Sequence, residues 1–143
     1  MSSFLVTDPI LPEQLRDAVA ASRRGGIATF TGLVRDHHGG RAVRELEYSA
    51  YAPMAELVCR DILAEAEQQW PVTVALAHRL GRLSIGDIAV AVAVAGDHRD
   101  EAFAACRYVI EELKRRVPIW KRERYADGTE VWVDPTQAAV APA

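Results

Sequence analysis

The stretch K-R-R-V-P-I-W-K-R-E-R, from Lys114 to Arg124, decides how the C-terminal third of the chain folds. The apolar residues before it recur at helical spacing, Pro118 cannot continue a helix, and the residues from Ile119 to Tyr125 alternate as in a strand. A turn sequence, Asp127-Gly128, then precedes a short second strand, Glu130 to Val133. One proline thus separates a predicted helix from a predicted hairpin.

Outward from this stretch, the spacing of apolar residues predicts further helices and strands in mixed order. We expect strands at Ile27 to Val34, Val43 to Tyr51, Val72 to His78 and Ile88 to Ala95, and helices at Pro12 to Ser22, Pro53 to Trp70 and after Asp97 as N-cap. The middle of the last strand has no polar face, so both of its sides should be covered. This order favours an α+β domain with antiparallel and mixed sheet over a doubly wound one.

Three details of this prediction concern loops and buried faces. The segments R-D-H-H-G-G-R after Val34 and R-L-G-R-L-S-I-G-D after His78 are expected to be loops. Met54 is placed on the buried face of its helix, and Phe103 on the buried face of the helix that follows Asp97. We expect one domain over residues 1–134 and a disordered tail over 135–143.

Length and composition exclude several classes of protein. At 143 residues with net charge −3, the chain fits one globular domain that needs no disulfide or metal for stability. No signal-peptide pattern or membrane-length apolar run is present, which predicts a soluble cytoplasmic protein. Cys59 and Cys106 lie far apart in helical segments and are expected to be buried apolar residues.

The basic stretch is the strongest indication of function. It holds six of the seventeen Lys and Arg residues of an acidic protein, and such crowding favours an anion-binding site. A solvated helix end, where cations complement the macrodipole, is the alternative. Within it, Lys121 shares a strand face with Glu123, and Lys114 lies beside the buried Leu113. Either lysine could clamp an anion, donate a proton or act as a nucleophile.

Other candidate anion ligands lie at element ends. His98 and Arg99 occupy the first turn of a predicted helix, where unpaired backbone N–H groups favour a phosphate or carboxylate. Arg35 follows a strand and precedes a glycine-rich loop. His37 and His38 invite a metal site, but no third ligand stands at a recognisable spacing, and no nucleotide-binding motif is present. We therefore expect neither a metal nor a cofactor.

The wording and order of several motifs are more specific than any single residue. They are F-T-G-x-V-R at Phe30 to Arg35, Tyr-x-x-Met at Tyr51 to Met54, H-R-x-G-x-L at His78 to Leu83, H-R at His98-Arg99, and L-K-x-R-x-P-x-W-K-R-E at Leu113 to Glu123. This series resembles the catalytic (large) subunit of molybdopterin synthase.

The resemblance implies an α/β hammerhead fold with an added antiparallel sheet, dimerised through the large subunits within a heterotetramer. It implies a small ubiquitin-like sulfur-carrier partner whose C-terminal Gly-Gly thiocarboxylate enters a pocket of this subunit. There, cyclic pyranopterin monophosphate would receive two sulfurs and become the molybdopterin dithiolene. No cysteine is required in such a sulfurtransferase, because the sulfur arrives on the partner.

The resemblance also assigns roles to residues. Leu33, Val34 and Arg35 match the first substrate-contacting segment, and His98 and Arg99 match the second. Lys114 matches the lysine beside the carrier tail. Lys121, Arg122 and Glu123 match the last segment, with Lys121 the preferred catalytic residue and Lys114 the second.

Two departures and two rival interpretations remain at this level. Family members can carry an arginine after the final strand, where this chain reads D-P-T-Q-A-A-V-A-P-A, and His38 is an additional histidine. One rival is a non-catalytic scaffold that binds the carrier. The other is a nucleic-acid-binding module that uses Trp120 and Tyr125 as stacking platforms, although the acidic remainder of the chain and a single basic stretch disfavour it.

Overall fold

The computed structural model describes residues 3–134. It contains nine strands and three helices over that range. In chain order these are β1 (Leu5–Val6), α1 (Pro12–Val19), β2 (Gly26–Leu33), β3 (His37–His38), β4 (Arg41–Ala50), α2 (Ala52–Gln69), β5 (Val72–Arg79), β6 (Gly81–Ser84), β7 (Ile88–Gly96), α3 (Arg99–Arg116), β8 (Ile119–Tyr125) and β9 (Glu130–Val133). The predicted disordered tail, 135–143, lies outside the described residues.

The first sheet has the strand order β1-β5-β7-β2 and forms the main core. Its central strand β7 is buried from Ala89 to Gly96. Val90, Val92 and Val94 pack with the apolar faces of α2 and α3, while Ala93 and Ala95 pack with Val19 of α1 on the other side. The prediction that both faces of this strand are covered is confirmed. Strand β2, the last in this order, pairs with β7 alone and forms one edge of the sheet.

The second sheet is antiparallel and joins the first where the chain leaves β2 and β5. Strand β4 pairs with β3, β6 and β8, and β8 pairs with β9. A smaller core of Val34, Val43, Leu46, Leu83, Ala89 and Tyr125 holds the sheets together. The α+β class with an added antiparallel sheet is confirmed. No helix in residues 3–134 is long and apolar enough to cross a membrane.

Two segments predicted as loops contain short strands. Gly81–Ser84 forms β6, which pairs with Glu45–Tyr48 of β4. His37–His38 forms β3, and the turn to β4 is made by Gly39 and Gly40, whose φ angles of 57° and 80° suit glycine. Strands of four and two residues are too short to show a period, so the sequence pattern missed both.

The predicted buried faces of two helices need correction. Phe103 is 65% exposed on α3, and on α2 Met54 is exposed while Ala55, Cys59, Ile62 and Ala66 are buried. In both helices small residues, such as Ala55 on α2 and Ala102 on α3, take several of the buried positions. The thiols of Cys59 and Cys106 are free and buried, as predicted.

The start of α3 also differs from the prediction. The N-cap is His98 rather than Asp97, and the Glu101 side chain accepts a hydrogen bond from the His98 backbone N–H. Asp97 instead pairs with the buried guanidinium of Arg24 at 2.9 Å. Arg24 also donates to the Pro71 carbonyl at 2.7 Å, so this arginine ties the start of α3 to the end of α2.

Candidate functional site

A cleft opens where the end of β2, the facing strands β4 and β8, and the C-terminal half of α3 meet. Its outer part has a volume of about 440 Å³ and includes Phe30, Arg35, His38, Leu46 and Glu123 among its walls. A more enclosed recess of about 90 Å³ continues inward between His78, Leu113, Val117 and Ile119. Both parts share Gly32, Leu33, Tyr48, Lys114 and Lys121. The two predicted catalytic lysines therefore border one continuous cavity.

Lys114 reaches the cleft from the last turn of α3, beside the buried Leu113. Lys114 keeps part of its surface exposed, and it also lines both parts of the cavity. Partial burial lowers the pKa of Lys114, and the positive charges of Lys121 and Arg35 lower it further. The two charged neighbours that shift this pKa, Lys121 and Arg35, are both cations. An amine of this kind gives up its proton more readily than a solvated lysine.

Lys121 and Glu123 reach the cleft from one face of β8, as the alternation predicts. Glu123 is only 2% exposed. Its Oε2 lies 3.5 Å from Lys121 Nζ and 3.3 Å from His38 Nδ1, and its Oε1 accepts a hydrogen bond of 2.7 Å from the Tyr125 hydroxyl. The cleft therefore contains three cations, Arg35, Lys114 and Lys121, against one buried carboxylate.

Two wall residues, His78 and Tyr48, were not among the predicted site residues. His78 is 6% exposed, and burial lowers its pKa to about 4, so the ring is neutral. Nδ1 lies 2.9 Å from the Arg79 carbonyl, which can only accept, so Nδ1 carries the proton and Nε2 is an acceptor. Burial, aided by Glu123, raises the pKa of Tyr48 to about 12, so its hydroxyl stays a donor. The H-R-x-G-x-L motif could have indicated His78.

The predicted segment at the end of β2 divides between cleft and core. Leu33 is 56% exposed and lines both parts of the cavity, and Arg35 lines the outer part. Val34, between them, is buried in the smaller core, and its backbone bonds to Asp87 and Gly86. Val34 thus anchors the segment, while its two neighbours face the cleft.

Arg122 lies on the opposite face of β8 from Lys121. Its guanidinium pairs with Glu47 and, at 3.2 Å, with Glu130, and lies over the Trp132 ring. Arg124, on the same outer face, pairs with Glu45 at 3.1 Å and with Glu130 at 3.0 Å. The structure therefore does not bring Arg122 to the cleft of its own protomer.

His98 and Arg99 also lie away from this cleft. Arg99 begins α3 and Lys114 lies fifteen residues later, which corresponds to about 22 Å along a helix. Arg99 is instead close to the start of β2, since a Cβ on Gly26 would lie 3.8 Å from the Arg99 Cα. Within one protomer, these two residues and the cleft lysines form separate sites.

The metal and nucleic-acid interpretations gain no support from this arrangement. No group of three or more His, Cys, Asp or Glu side chains that could hold a metal ion occurs in the part of the chain that the structure describes. Tyr125 is only 4% exposed and lies under the Arg41 guanidinium, so its ring offers no stacking surface to a base.

Comparisons with known proteins identify the family of this chain. Residues 5–116 match the model of the family described as MoaE protein. The molybdopterin synthase catalytic subunit of Staphylococcus epidermidis is 47% identical over 127 residues, which cover 88% of this chain and 85% of that protein.

Solved structures share the fold. Molybdopterin synthase from Staphylococcus aureus matches with a TM-score of 0.87 and 41% identity, covering 92% of this chain and 96% of that one. A chain from the complex of subunits 1 and 2 of molybdopterin-converting factor from Helicobacter pylori matches with a TM-score of 0.75 at 20% identity, covering 90% and 88%. The resemblance read from the motifs is confirmed, and the chain belongs to the MoaE protein family.

Proposed function

We propose that this protein is the catalytic subunit of a molybdopterin synthase, a sulfurtransferase of molybdenum cofactor biosynthesis. It would move two sulfurs from a thiocarboxylated small carrier subunit to cyclic pyranopterin monophosphate, forming the molybdopterin dithiolene. The observation that carries the proposal is the cleft, in which Arg35, Lys114 and Lys121 face one buried carboxylate. Family membership supplies the identity of the two substrates.

The charge of the cleft suits both substrates. A thiocarboxylate and a cyclic phosphate are anions, and an excess of fixed cations in a partly enclosed cavity stabilises them and any oxyanion that forms during acyl transfer. The narrow inner recess suits an unbranched chain end, and a Gly-Gly terminus carries no side chains. We infer that the carrier tail enters toward Lys114 and that the pterin phosphate occupies the wider outer part.

The two lysines suit different tasks in this reaction. Opening the cyclic phosphate requires a proton at the leaving oxygen, and an ammonium of lowered pKa is an effective donor. That property belongs to Lys114, where burial and two neighbouring cations lower the pKa. Lys121, beside Glu123, would remain the preferred ligand of the reacting carbonyl or thiocarboxylate. Either amine could carry a transient acyl group.

A homodimer would explain why His98 and Arg99 lie far from the lysines. Strand β2 is an edge strand, and Ile27, Phe30 and Leu33 expose apolar surface along it, with Phe103 nearby. Antiparallel pairing of β2 with its copy about a two-fold axis would place the partner's strand start beside Leu33. Because Arg99 neighbours Gly26, the partner's copy of this arginine would then approach the cleft.

The proposal includes a heterotetramer of two such subunits and two carriers, and a cytoplasmic location. Two free, buried thiols are typical of proteins from reducing compartments. The non-catalytic scaffold remains the alternative function, and turnover separates the two.

The test is reconstitution with a thiocarboxylated carrier and cyclic pyranopterin monophosphate, with dithiolene formation measured as a fluorescent oxidised derivative. We expect turnover that depends on the thiocarboxylate, since a carrier ending in an ordinary carboxylate brings no sulfur. Carrier binding without any turnover would favour the scaffold and contradict the proposed function.

A further inference from the structure

His38 lines the outer cleft together with His37, and neither histidine has an assigned role. His38 lies on the two-residue strand β3, next to the Gly39-Gly40 turn. Its Nδ1 is 3.3 Å from Oε2 of Glu123, although the two residues are far apart in sequence. The hairpin therefore brings an imidazole to Glu123, the one buried carboxylate among the cleft walls that residues 3–134 provide.

Two nitrogen groups compete for the same oxygen of Glu123. Lys121 Nζ is 3.5 Å from Oε2, close to the His38 distance, while the Tyr125 hydroxyl occupies Oε1 at 2.7 Å. A carboxylate that is 2% exposed cannot lose its partners without a large desolvation penalty. If Lys121 moves toward a substrate, a second donor must already be in place at Oε2.

We propose that His38 is a positioning residue that holds the Glu123 carboxylate and so frees Lys121 to engage the substrate. No bond is made or broken at His38. The imidazole N–H takes over the contact at Oε2 while the Lys121 ammonium turns toward the anion in the cleft. The role of Lys121 after its release rests on the proposed function, whereas the His38–Glu123–Lys121 coupling does not.

The neighbouring His37 provides a matched control. It has the same chemistry, lies on the same short strand and also lines the outer cleft, but its Nδ1 contacts Asp36 at 2.8 Å rather than Glu123. A substitution at His37 alters the hairpin surface to a similar extent without touching the shared oxygen. If a substitution acts by disturbing the hairpin in general, the His37 and His38 variants should both change the reactivity of Lys121. If it acts through the proposed coupling, only the His38 variant should do so.

The direct measurement is the reactivity of the Lys121 amine, followed by trace acetylation with acetic anhydride and mass spectrometry of the intact folded protein. In His38→Ala the carboxylate loses one donor and holds the ammonium more firmly, so labelling of Lys121 should slow by about tenfold, the typical worth of a hydrogen bond to a charged group. His38→Asn keeps an N–H near the position of Nδ1 and should restore most of the rate. His37→Ala should label like the wild type.

A double-mutant cycle tests whether Glu123 transmits the effect. In a Glu123→Gln background no carboxylate holds the lysine, so adding His38→Ala should change Lys121 labelling by less than about twofold. An unchanged labelling rate in His38→Ala, or an equal loss in both backgrounds, would overturn the role of His38.

Turnover is measured in parallel and answers a separate question. We expect His38→Ala to lower kcat by about tenfold and His38→Asn to recover most of it, as in the labelling experiment. The variants could show the expected labelling pattern while the wild-type protein forms no dithiolene. That result would contradict the proposed function and leave the His38–Glu123–Lys121 coupling in place. A variant in which labelling slows while kcat stays unchanged would contradict the release of Lys121 as a step of the reaction.

Discussion

The six cations of the basic stretch fall into two groups with opposite surroundings. All four arginines pair with glutamates: Arg115 with Glu112, Arg116 with Glu65 and Glu112, Arg122 with Glu47 and Glu130, and Arg124 with Glu45 and Glu130. The two lysines instead face the cleft, where Glu123 is the one carboxylate among the described walls. The candidate site is therefore marked by the cations that glutamates do not neutralise, and not by the whole basic stretch of the sequence.

The difference arises from secondary structure. On β8, adjacent residues point to opposite faces, so Lys121 enters the cleft while Arg122 joins the outer charge network. On α3, Lys114 and Arg116 are two residues apart and thus lie on different sides of the helix. The arginines have the wide, planar hydrogen-bonding group that suits matched surface pairs, whereas a lysine amine can change its pKa and react.

The largest effect is expected from the cleft lysines. Lys121→Ala should lower dithiolene formation by at least about a hundredfold, the usual cost of removing one preorganised group that stabilises transition-state charge. Binding of the carrier, measured by calorimetry, should stay nearly unchanged because one amine contributes little to an extended interface. Lys114→Ala should show a similar loss of turnover. Near-normal turnover by Lys121→Ala with a thiocarboxylated carrier would refute its assignment.

A smaller effect is expected at Arg99, which lies far from Lys114 and Lys121 within one protomer. Arg99→Ala should raise KM for cyclic pyranopterin monophosphate by roughly tenfold, the cost of one lost charge-assisted hydrogen bond, with a smaller change in kcat. Steady-state kinetics at saturating carrier measures both parameters.

Mixed dimers reveal whether that arginine acts across the interface. Combining a Lys121→Ala protomer with an Arg99→Ala protomer leaves one site intact if the two residues come from different subunits. Such dimers should then show about half of the wild-type activity at low substrate. If both residues act within one subunit, one site lacks Lys121 and the other lacks Arg99, so the activity falls to about half that of the Arg99→Ala homodimer.

Much of this comparison was predictable from the sequence, and the exceptions have physical causes. The alternation of side chains along the predicted strand places Lys121 and Glu123 on one face and Arg122 and Arg124 on the other. The helix before Pro118 is also predicted correctly. Three of the carboxylates that neutralise the arginines could not be predicted, because Glu45, Glu47 and Glu65 come from distant parts of the chain. The resemblance assigned Arg122 to the substrate site, but only the strand pairing in three dimensions places it beside Glu47.

The residues missed in the cleft share one property. His78, Tyr48 and His38 reach it through tertiary contacts between sheets or across a two-residue strand, for which no local period exists. The distance between His98-Arg99 and the lysines follows from the helix that separates them, and helix length alone would have indicated it.

The outer face of β8 should affect stability rather than turnover. Arg124→Gln removes the contacts with Glu45 and Glu130, which then rely on their pairs with Arg82 and Arg122. We expect a loss of about 1 to 2 kcal/mol in the free energy of unfolding, measured in urea, with kcat unchanged. Arg122→Gln should behave in the same way. A raised KM in Arg122→Gln at normal stability would instead support the substrate role that the resemblance assigned to it.

The smallest effect is expected where α3 meets α2, at the carboxylate that neutralises Arg116. Hydrogen bonds from Arg116 and then Tyr108 hold the pKa of Glu65 at about 2, below its ordinary value of 4.5. Because folding favours the charged form, this stabilisation is complete above about pH 4.5 and is lost as the pH falls toward 2. Since Glu65 is partly exposed, Glu65→Gln should cost only about 1 kcal/mol at pH 7.

The difference in unfolding free energy between Glu65→Gln and the wild type should shrink as the pH is lowered, because the wild-type carboxyl becomes neutral as well. Urea unfolding at a series of pH values measures it. Glu111→Gln removes a more exposed contact of the same helix, that with Arg107, and should stay within about 0.5 kcal/mol of the wild type throughout. A Glu65 effect that is independent of pH would show that packing of the side chain, rather than pairing of its charge with Arg116, joins the two helices.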